Sequence, residues 1–195
     1  MARHAEPSQE VQLTLKLCLA GDFQVGKTSL LRRFVSNTFD ERYVTTLGAK
    51  VDSRRYTVPD PADPRSQIGV TATIWDIMGN PGFRELLKDA YFFNAKGVLL
   101  VADATRRETL EGLRRWHQSV SSVAGDIPVV VLLNKTDLEE QVKVTPADMD
   151  HACLTDGWTW MPTSAMTGKN VEAAFTKVTE LYVTALREAR LSKEE

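Results

Sequence analysis

The chain has 195 residues, of which 43% are hydrophobic and 26% are charged. This length and composition are typical of a single soluble domain, which we expect to span 12–190 with short tails at 1–11 and 191–195. A formal net charge of −2 offers no bulk attraction for nucleic acid. Two cysteines are too few for a disulfide framework or a metal-ligand pattern.

Strand-like and helical patterns alternate along the chain. The strand patterns lie at roughly 12–20, 50–58, 68–76, 97–103, 127–133 and 158–162. The helical patterns lie at roughly 28–37, 84–93, 107–122, 146–155 and 170–190, and Trp116 in the third is expected to pack in the core. The fourth and fifth strand patterns are continuous apolar runs, typical of central parallel strands. This alternation predicts a doubly wound α/β fold that binds ligands beyond the carboxyl ends of its strands.

The second and third strand patterns have no helix between them, so we expect them to pair as an antiparallel hairpin. Their connection, Pro59–Ser66, is too rich in proline for a strand. We therefore predict a long surface loop at this point. A tolerated insertion is the favoured interpretation, and a partner contact is the alternative.

The segment Gly21–Thr28 fits the pattern G-x-x-x-x-G-K-S/T of a phosphate-binding loop. A strand pattern precedes it and a helical pattern follows it, so backbone N–H groups and the positive helix end would face a phosphate. Lys27 would add charge near the β- and γ-phosphates, and the Thr28 hydroxyl suits Mg²⁺. The predicted phosphate contacts are Asp22, Phe23, Gln24, Val25, Gly26, Lys27, Thr28 and Ser29.

Asp76 ends the third strand pattern, and Gly79 follows it after two residues. A carboxylate at this strand end can hold Mg²⁺ through a water molecule. The Gly79 N–H can approach a γ-phosphate closely because no side chain intervenes. An isolated D-x-x-G also fits a simple turn, so this motif depends on the phosphate loop for its meaning.

Asn134–Asp137 has the sequence N-K-T-D and follows the buried fifth strand pattern. The Asp137 carboxylate can accept hydrogen bonds from N1–H and the 2-amino group of guanine, and adenine offers neither donor there. Asn134 and Lys135 would brace the loops that bind the base, and Leu138 is a predicted nucleotide contact beside them. These residues predict a preference for guanine.

Ser164, Ala165 and Met166 follow the last strand pattern and are also predicted nucleotide contacts. The Ala165 N–H is expected to donate to the 6-oxo group of guanine. This contact would discriminate against adenine a second time, because adenine has no oxygen at that position.

In order and spacing, these motifs resemble the nucleotide motifs of the Ras-like small GTPases. The similarity covers about residues 12–186 and looks closest to the Rab branch in Tyr43–Gly48, Leu99–Thr105 and Pro162–Phe175. The resemblance implies a P-loop NTPase small G domain, in which a six-stranded, mostly parallel sheet has one antiparallel edge hairpin and helices on both faces. It also implies GTP or GDP and Mg²⁺ as cofactors. Effector proteins, an exchange factor and a GTPase-activating protein are the implied partners.

The resemblance assigns roles to residues for which spacing alone indicates only a loop. Thr46 would be the switch threonine that ligates Mg²⁺, with Thr28 and Asp76, when the γ-phosphate is present. Phe39 would stack near the guanine, and Tyr43 would close over the phosphates. The catalytic set implied in this way comprises Lys27, Thr46, Gly79 and Asn80.

Two departures from the family concern hydrolysis. The family usually has a glutamine directly after D-x-x-G, where this chain has Asn80, which is shorter by about 1.5 Å. That difference is enough to misplace an attacking water, since positioning supplies most of the catalysis in phosphoryl transfer. Phe23 would crowd the same region, whereas Gln24 offers a polar group in cis. We expect slow GTP hydrolysis, and the alternative is a module that binds GTP or GDP without turning it over.

The third departure is at the C-terminus, Arg190–Glu195, which lacks the prenylated cysteines usual in Rab-like proteins. We therefore expect no constitutive lipid anchor. We further expect a cytoplasmic monomer that binds no nucleic acid.

Overall fold

The computed structural model describes residues 12–40 and 46–192, apart from the side chains at 64, 81, 83 and 84. Its strands are β1 (Gln12–Ala20), β2 (Ala49–Asp60), β3 (Asp63–Ile77), β4 (Gly97–Asp103), β5 (Val129–Asn134) and β6 (Thr159–Pro162). They form one sheet in the order β2-β3-β1-β4-β5-β6, in which only β2 runs antiparallel to its neighbour. This sheet confirms the predicted fold class.

Helices cover both faces of the sheet. They are α1 (Lys27–Ser36), α2 (Pro81–Phe92), α3 (Arg107–Glu111), α4 (Leu113–Ala124), α5 (Pro146–Leu154) and α6 (Val171–Leu191), with a short 3-10 turn at Glu139–Gln141. The helix predicted at 107–122 is thus two helices that meet at Gly112. None of the helices in the described residues is long and apolar enough to cross a membrane.

Two apolar layers hold the helices on the sheet. On one face, Phe34 of α1 stacks on Phe175 of α6 with ring centroids 3.9 Å apart. On the other face, Trp116 of α4 is fully buried, as its helical pattern predicts. Strands β4 and β5 are buried along their whole length, which explains their continuous apolar sequences.

The connection between β2 and β3 differs from the predicted long loop. Strand β2 continues to Asp60 and β3 begins at Asp63, so the hairpin has a tight turn. The register shifts between Pro59 and Asp60, and this irregularity takes up residues 64–66. Proline is tolerated in β2 because it is an edge strand, whose outward-facing N–H groups have no ladder partner to lose. The predicted hairpin is confirmed, and the predicted surface loop is wrong.

Candidate nucleotide-binding site

A cavity of about 550 Å³ opens at the carboxyl ends of the strands. From the first half of the chain, the predicted residues that line it are Phe23, Gln24, Gly26, Lys27, Thr28, Ser29, Phe39, Thr46, Asp76 and Gly79. From the second half, they are Asn134, Lys135, Asp137, Leu138, Ala165 and Met166. Motifs far apart in sequence therefore meet around one cavity large enough for a small-molecule ligand. Tyr43 lies outside the described residues.

The phosphate loop delivers the N-terminus of α1 to this cavity. Gly26, at the helix start, has a φ of 98°, and a Cβ added there would lie 2.3 Å from the Asn134 amide nitrogen. Only glycine fits this position, because any other residue would be strained and would collide. Among the described residues no side chain caps the helix, so its first N–H groups are available to an anion at this end.

Lys27 is buried beneath the loop and bonds to the loop itself. Its ammonium group donates to the carbonyl oxygens of Gly21 at 2.7 Å and Asp22 at 2.8 Å. Burial lowers the pKa of Lys27 to about 8, although the nearby carboxylates of Asp76 and Asp22 oppose the shift. A phosphate oxygen close to this group would stabilise its charged form.

Three oxygen-bearing side chains converge beside Lys27. The hydroxyl groups of Thr28 and Thr46 lie 3.0 Å apart, and both donate to Oδ2 of Asp76. Asp76 is fully buried, and within the described residues its Oδ1 has no hydrogen-bond partner. Burial raises the pKa of Asp76, an effect opposed by the hydrogen bond from Thr28 and the charge of Lys27.

This group of oxygens fits Mg²⁺, which prefers one or two carboxylates together with hydroxyl, phosphate and water oxygens. An unpartnered buried carboxylate oxygen is costly unless a cation or donor meets it. Across the described residues, no cluster of three or more histidine, cysteine or carboxylate side chains could hold a metal ion. The predicted metal ligands Thr28, Thr46 and Asp76 lie together as one carboxylate and two hydroxyl groups.

Gly79 lies directly on the phosphate loop. A Cβ added at this position would lie 2.6 Å from the backbone of Asp22 and Phe23. This contact requires glycine, because the obstacle is rigid backbone rather than a flexible side chain. The expected approach of the Gly79 N–H to a γ-phosphate remains a prediction.

Asn134 joins the loops on the other side of the cavity. Its amide nitrogen donates to the Val25 carbonyl at 2.9 Å, and its amide oxygen accepts from the Ala165 N–H at 3.2 Å. The bracing role predicted for Asn134 is thus present in the geometry. The Ala165 N–H, predicted to bind the 6-oxo group of guanine, already has a partner, so a base would have to share it.

Lys135 and Asp137 differ in their surroundings. The Lys135 ammonium lies 2.6 Å from Oδ2 of Asp103, a residue that is almost fully buried. Burial alone would raise the pKa of Asp103, but hydrogen bonds from Lys135 and Thr105 outweigh it and lower the pKa. The Asp137 side chain lines the cavity next to Leu138. In the described part of the chain no hydrogen bond or ion pair engages its carboxylate, so both oxygens can accept from a ligand.

Three predicted contacts have side chains that point away from the cavity. Asp22 accepts a hydrogen bond at 2.7 Å from the indole N–H of Trp116. Val25 is fully buried in the core beneath the loop. Ser164 is buried and accepts a hydrogen bond at 3.0 Å from the backbone N–H of Thr167. Asp22 and Val25 could therefore contact a phosphate only through their backbone groups.

Asn80 also has a different place from the one predicted. It is the N-cap residue of α2, and its side-chain oxygen accepts from the Gly82 N–H at 2.9 Å. The sequence carries this signal, because asparagine followed by proline is a favoured helix start. The structure therefore directs the Asn80 amide to the helix and not into the cavity.

The other two unusual loop residues line the cavity. Phe23 keeps 42% of its surface exposed beside the loop backbone. Gln24 has a φ of 62°, a left-handed conformation that is uncommon for residues other than glycine. Both side chains are exposed at the position where a terminal phosphate would lie according to the resemblance.

Several contacts were not found from the sequence. Arg32 and Asp40 form an ion pair at 3.4 Å on the cavity wall, to which Ile77 and Met78 also contribute. The Arg106 guanidinium donates to the Phe23 carbonyl at 2.6 Å. No local motif marks these residues, because their partners are distant in sequence.

The fold and the arrangement of this site define a nucleotide-binding domain of the P-loop class. The sequence model of the Ras family matches residues 16–184. Ras-related protein Rab11D of Nicotiana tabacum is 33% identical over 181 residues, which cover 92% of this chain and 78% of that relative. Ras-related protein RABA4b of Arabidopsis thaliana is 34% identical, covering 91% and 76%. Ras-related protein Rab-4 of Dictyostelium discoideum is 32% identical, covering 92% and 84%.

The chain belongs to the Ras family of small GTPases, in its Rab-like branch. This confirms the family resemblance that the sequence motifs indicate. Membership makes the protein a GTP-binding switch of the small GTPase class. The roles of individual residues in this chain remain predictions.

Proposed function

We propose that this small GTPase binds GTP or GDP together with Mg²⁺ in the cavity at the carboxyl ends of its strands, and that it hydrolyses GTP slowly. The observation that carries the proposal is the convergence of Thr28, Thr46 and Asp76, with one buried Asp76 oxygen unpartnered in the described residues. When bound, Mg²⁺ would offset charge on the phosphate oxygens. Lys27 and the N–H groups at the start of α1 would hold the phosphates.

Guanine selection is proposed to depend on Asp137. Its carboxylate lines the cavity and has no partner among the described side chains. A site built to accept hydrogen bonds rejects a base without donors, because a buried acceptor would be left unpaired. Asn134 supports this selection indirectly by tying the loops together.

Thr46 and Gly79 are the residues through which the protein would respond to the γ-phosphate. The Thr46 hydroxyl hydrogen-bonds to Thr28 and Asp76, and Gly79 lies against the phosphate loop. Loss of the γ-phosphate would release both segments, and a partner can recognise such a change in order. Effectors, exchange factors and GTPase-activating proteins are partners of this family in general, and we propose that effectors bind these segments.

Slow hydrolysis is proposed because the Asn80 side chain is hydrogen-bonded outside the cavity. Its side chain is short and caps α2, and a water-positioning role would require it to leave the Gly82 N–H. Giving up an N-cap costs about 1 kcal/mol. Phe23 lines the cavity beside the loop, and we expect it to crowd the attacking water and an arginine supplied by a partner. Together these features favour an intrinsic rate on the order of 10⁻⁴ per second or less.

Single-turnover hydrolysis of GTP with Mg²⁺ tests this proposal in wild type, Asn80→Gln and Asn80→Ala. Both variants lose the N-cap of α2, but only glutamine has a longer side chain that could position the attacking water. We expect slow release of phosphate by wild type, acceleration by glutamine and none by alanine. Lys27→Ala should abolish the signal and so exclude a contaminating activity.

The competing function is a binding module that holds GTP or GDP without hydrolysis, which the capping bond of Asn80 favours. If GTP stays bound and intact in wild type and in Asn80→Gln, this second function takes precedence. A wild-type rate well above 10⁻³ per second without a partner would contradict slow hydrolysis, since it exceeds the Ras baseline of about 3–5 × 10⁻⁴ per second.

A further inference from the structure

Arg106 hydrogen-bonds to the phosphate loop and is not among the residues that line the cavity. It lies just before α3, and its Nη2 donates to the Phe23 carbonyl oxygen at 2.6 Å. The same guanidinium donates from Nε to Oδ2 of Asp103 at 3.2 Å. The planar fork of arginine allows both bonds at once, which a single ammonium group would not do as well.

Asp103 connects Arg106 to the guanine-selecting loop. Its side chain is only 1% exposed, and its Oδ2 also receives the Lys135 ammonium at 2.6 Å. Its other oxygen is held by the backbone N–H and the hydroxyl of Thr105, at 2.9 and 2.8 Å. Asp103 is therefore a fixed anchor, and a continuous line of polar contacts runs from Lys135 to the Phe23 carbonyl.

The Phe23 carbonyl controls the direction of a phosphate-facing group. In a trans peptide the C=O and the following N–H point in opposite directions. The chain has no cis peptide among its described residues. A bond that holds the Phe23 oxygen outward, toward Arg106, therefore holds the Gln24 N–H on the opposite side. Phe23 and Gln24 are among the residues that line the cavity and Arg106 is not, so the side opposite Arg106 is the side from which a phosphate would be bound.

We propose that Arg106 is a positioning residue that, through Asp103, orients the Phe23–Gln24 peptide. It would thereby link the base end of the site, defined by Asn134–Asp137, to the phosphate end, defined by Gly21–Thr28. The inference rests on the proposed nucleotide binding. It predicts that Arg106 supports the binding of phosphates beyond the first, although its own side chain does not line the cavity. Its contribution should consequently depend on how many phosphates the ligand carries.

Equilibrium binding of GDP and GMP, by competition with a fluorescent GDP, tests this link in Arg106→Met, Arg106→Lys and Arg107→Met. Arg107 is the matched control, because its 58% exposed side chain pairs with Asp148 on the surface and has no hydrogen bond to the loop within the described residues. We expect Arg106→Met to lose about tenfold in GDP affinity and less than twofold in GMP affinity, the size of one charge-assisted hydrogen bond. Lysine should restore part of the loss, and Arg107→Met should match wild type.

A double variant tests the route through Asp103. If Asp103 anchors Arg106, then Asp103→Asn with Arg106→Met should bind GDP no more weakly than Asp103→Asn alone. Equal losses for GDP and GMP would mean general destabilisation and would overturn the proposal. An unchanged GDP affinity in Arg106→Met would also overturn it, because the Phe23–Gln24 peptide would then keep its orientation without Arg106. Failure of wild type to bind GDP at all would overturn the proposed function as well.

Discussion

The two ends of the cavity are held in different ways. At the base end, Asn134 satisfies its amide oxygen and nitrogen with neighbouring loops, and within the described residues the Asp137 carboxylate has no partner. At the phosphate end, Lys27 bonds to carbonyls of its own loop, and one oxygen of Asp76 is buried without a partner among the described residues. The polar side chains Asn134 and Lys135 are thus paired within the described residues, and the Asp137 carboxylate is not. The phosphate end has buried charge that a ligand would balance.

This difference assigns separate tasks to the two ends. A preformed frame discriminates between ligands, because it cannot adapt to the wrong base. A region in which a buried polar atom lacks a partner responds to a ligand, because binding changes the energy of that atom. Selection should therefore depend on the base end, and the conformational response on the phosphate end.

The largest expected effect is at the base end. Asp137→Ala removes both acceptors offered to guanine, so the preference for GDP over ADP should fall by on the order of 10³. Competition of each nucleotide against labelled GDP measures this ratio. Glu139→Ala, in the exposed 3-10 turn that follows, is the control and should leave the ratio unchanged. A preference retained in Asp137→Ala would show that the backbone alone selects the base.

The next effect is at the phosphate end. Gly79→Ala places a methyl group 2.6 Å from the backbone of Asp22 and Phe23, so the segment must move away from the loop. We expect the affinity for GTP to fall roughly 10- to 100-fold more than that for GDP, from the cost of overpacking against rigid backbone. Gly82→Ala is the control, since its added carbon would lie 3.4 Å from the Asn80 side chain. Equal losses for both nucleotides would contradict a γ-phosphate role for this segment.

The smallest effect concerns the outer support of the phosphate loop. Trp116→Phe removes the indole donor that Asp22 accepts at 2.7 Å, so GDP release should become about threefold faster. Trp160→Phe removes an indole–carboxylate bond of the same length, to Asp150, away from the cavity. The release rate of fluorescent GDP should change only in the first variant. Similar rates in both would show that the loop does not need this support.

The fold was largely predictable because its signals are local and strong. Buried parallel strands such as Val129–Asn134 carry continuous apolar sequences, and the loop Gly21–Thr28 has a spacing that few other structures need. The β2–β3 connection was not predictable, because the tolerance for proline depends on β2 being the edge strand. That position is set by the whole sheet.

The candidate site was predictable where the chemistry requires a particular residue type. It was not predictable where the role of a residue depends on the direction in which its side chain points. Thr28 and Asp76 were placed correctly beside each other, since their spacing from strand ends determines their position. The side chain of Asn80 was not, because a cap and a catalytic role make different demands on the same amide. Arg106 was missed because its partners, Phe23 and Asp103, lie on separate elements.

The hairpin of β2 and β3 is anchored at its far end. Arg187 of α6 meets both carboxylate oxygens of Asp60 at 2.6 and 2.7 Å, and the hydroxyl groups of Tyr56 and Thr179 bond at 2.6 Å. The hairpin is thus attached to α6 at its turn, whereas its other end, which Thr46 precedes, lies at the cavity. A slide by one residue would break these contacts and turn the buried face of β2 outward. These contacts at the tip therefore oppose a shift of β2 along the sheet, so a response of Thr46 to a ligand would have to arise at the cavity end of the hairpin.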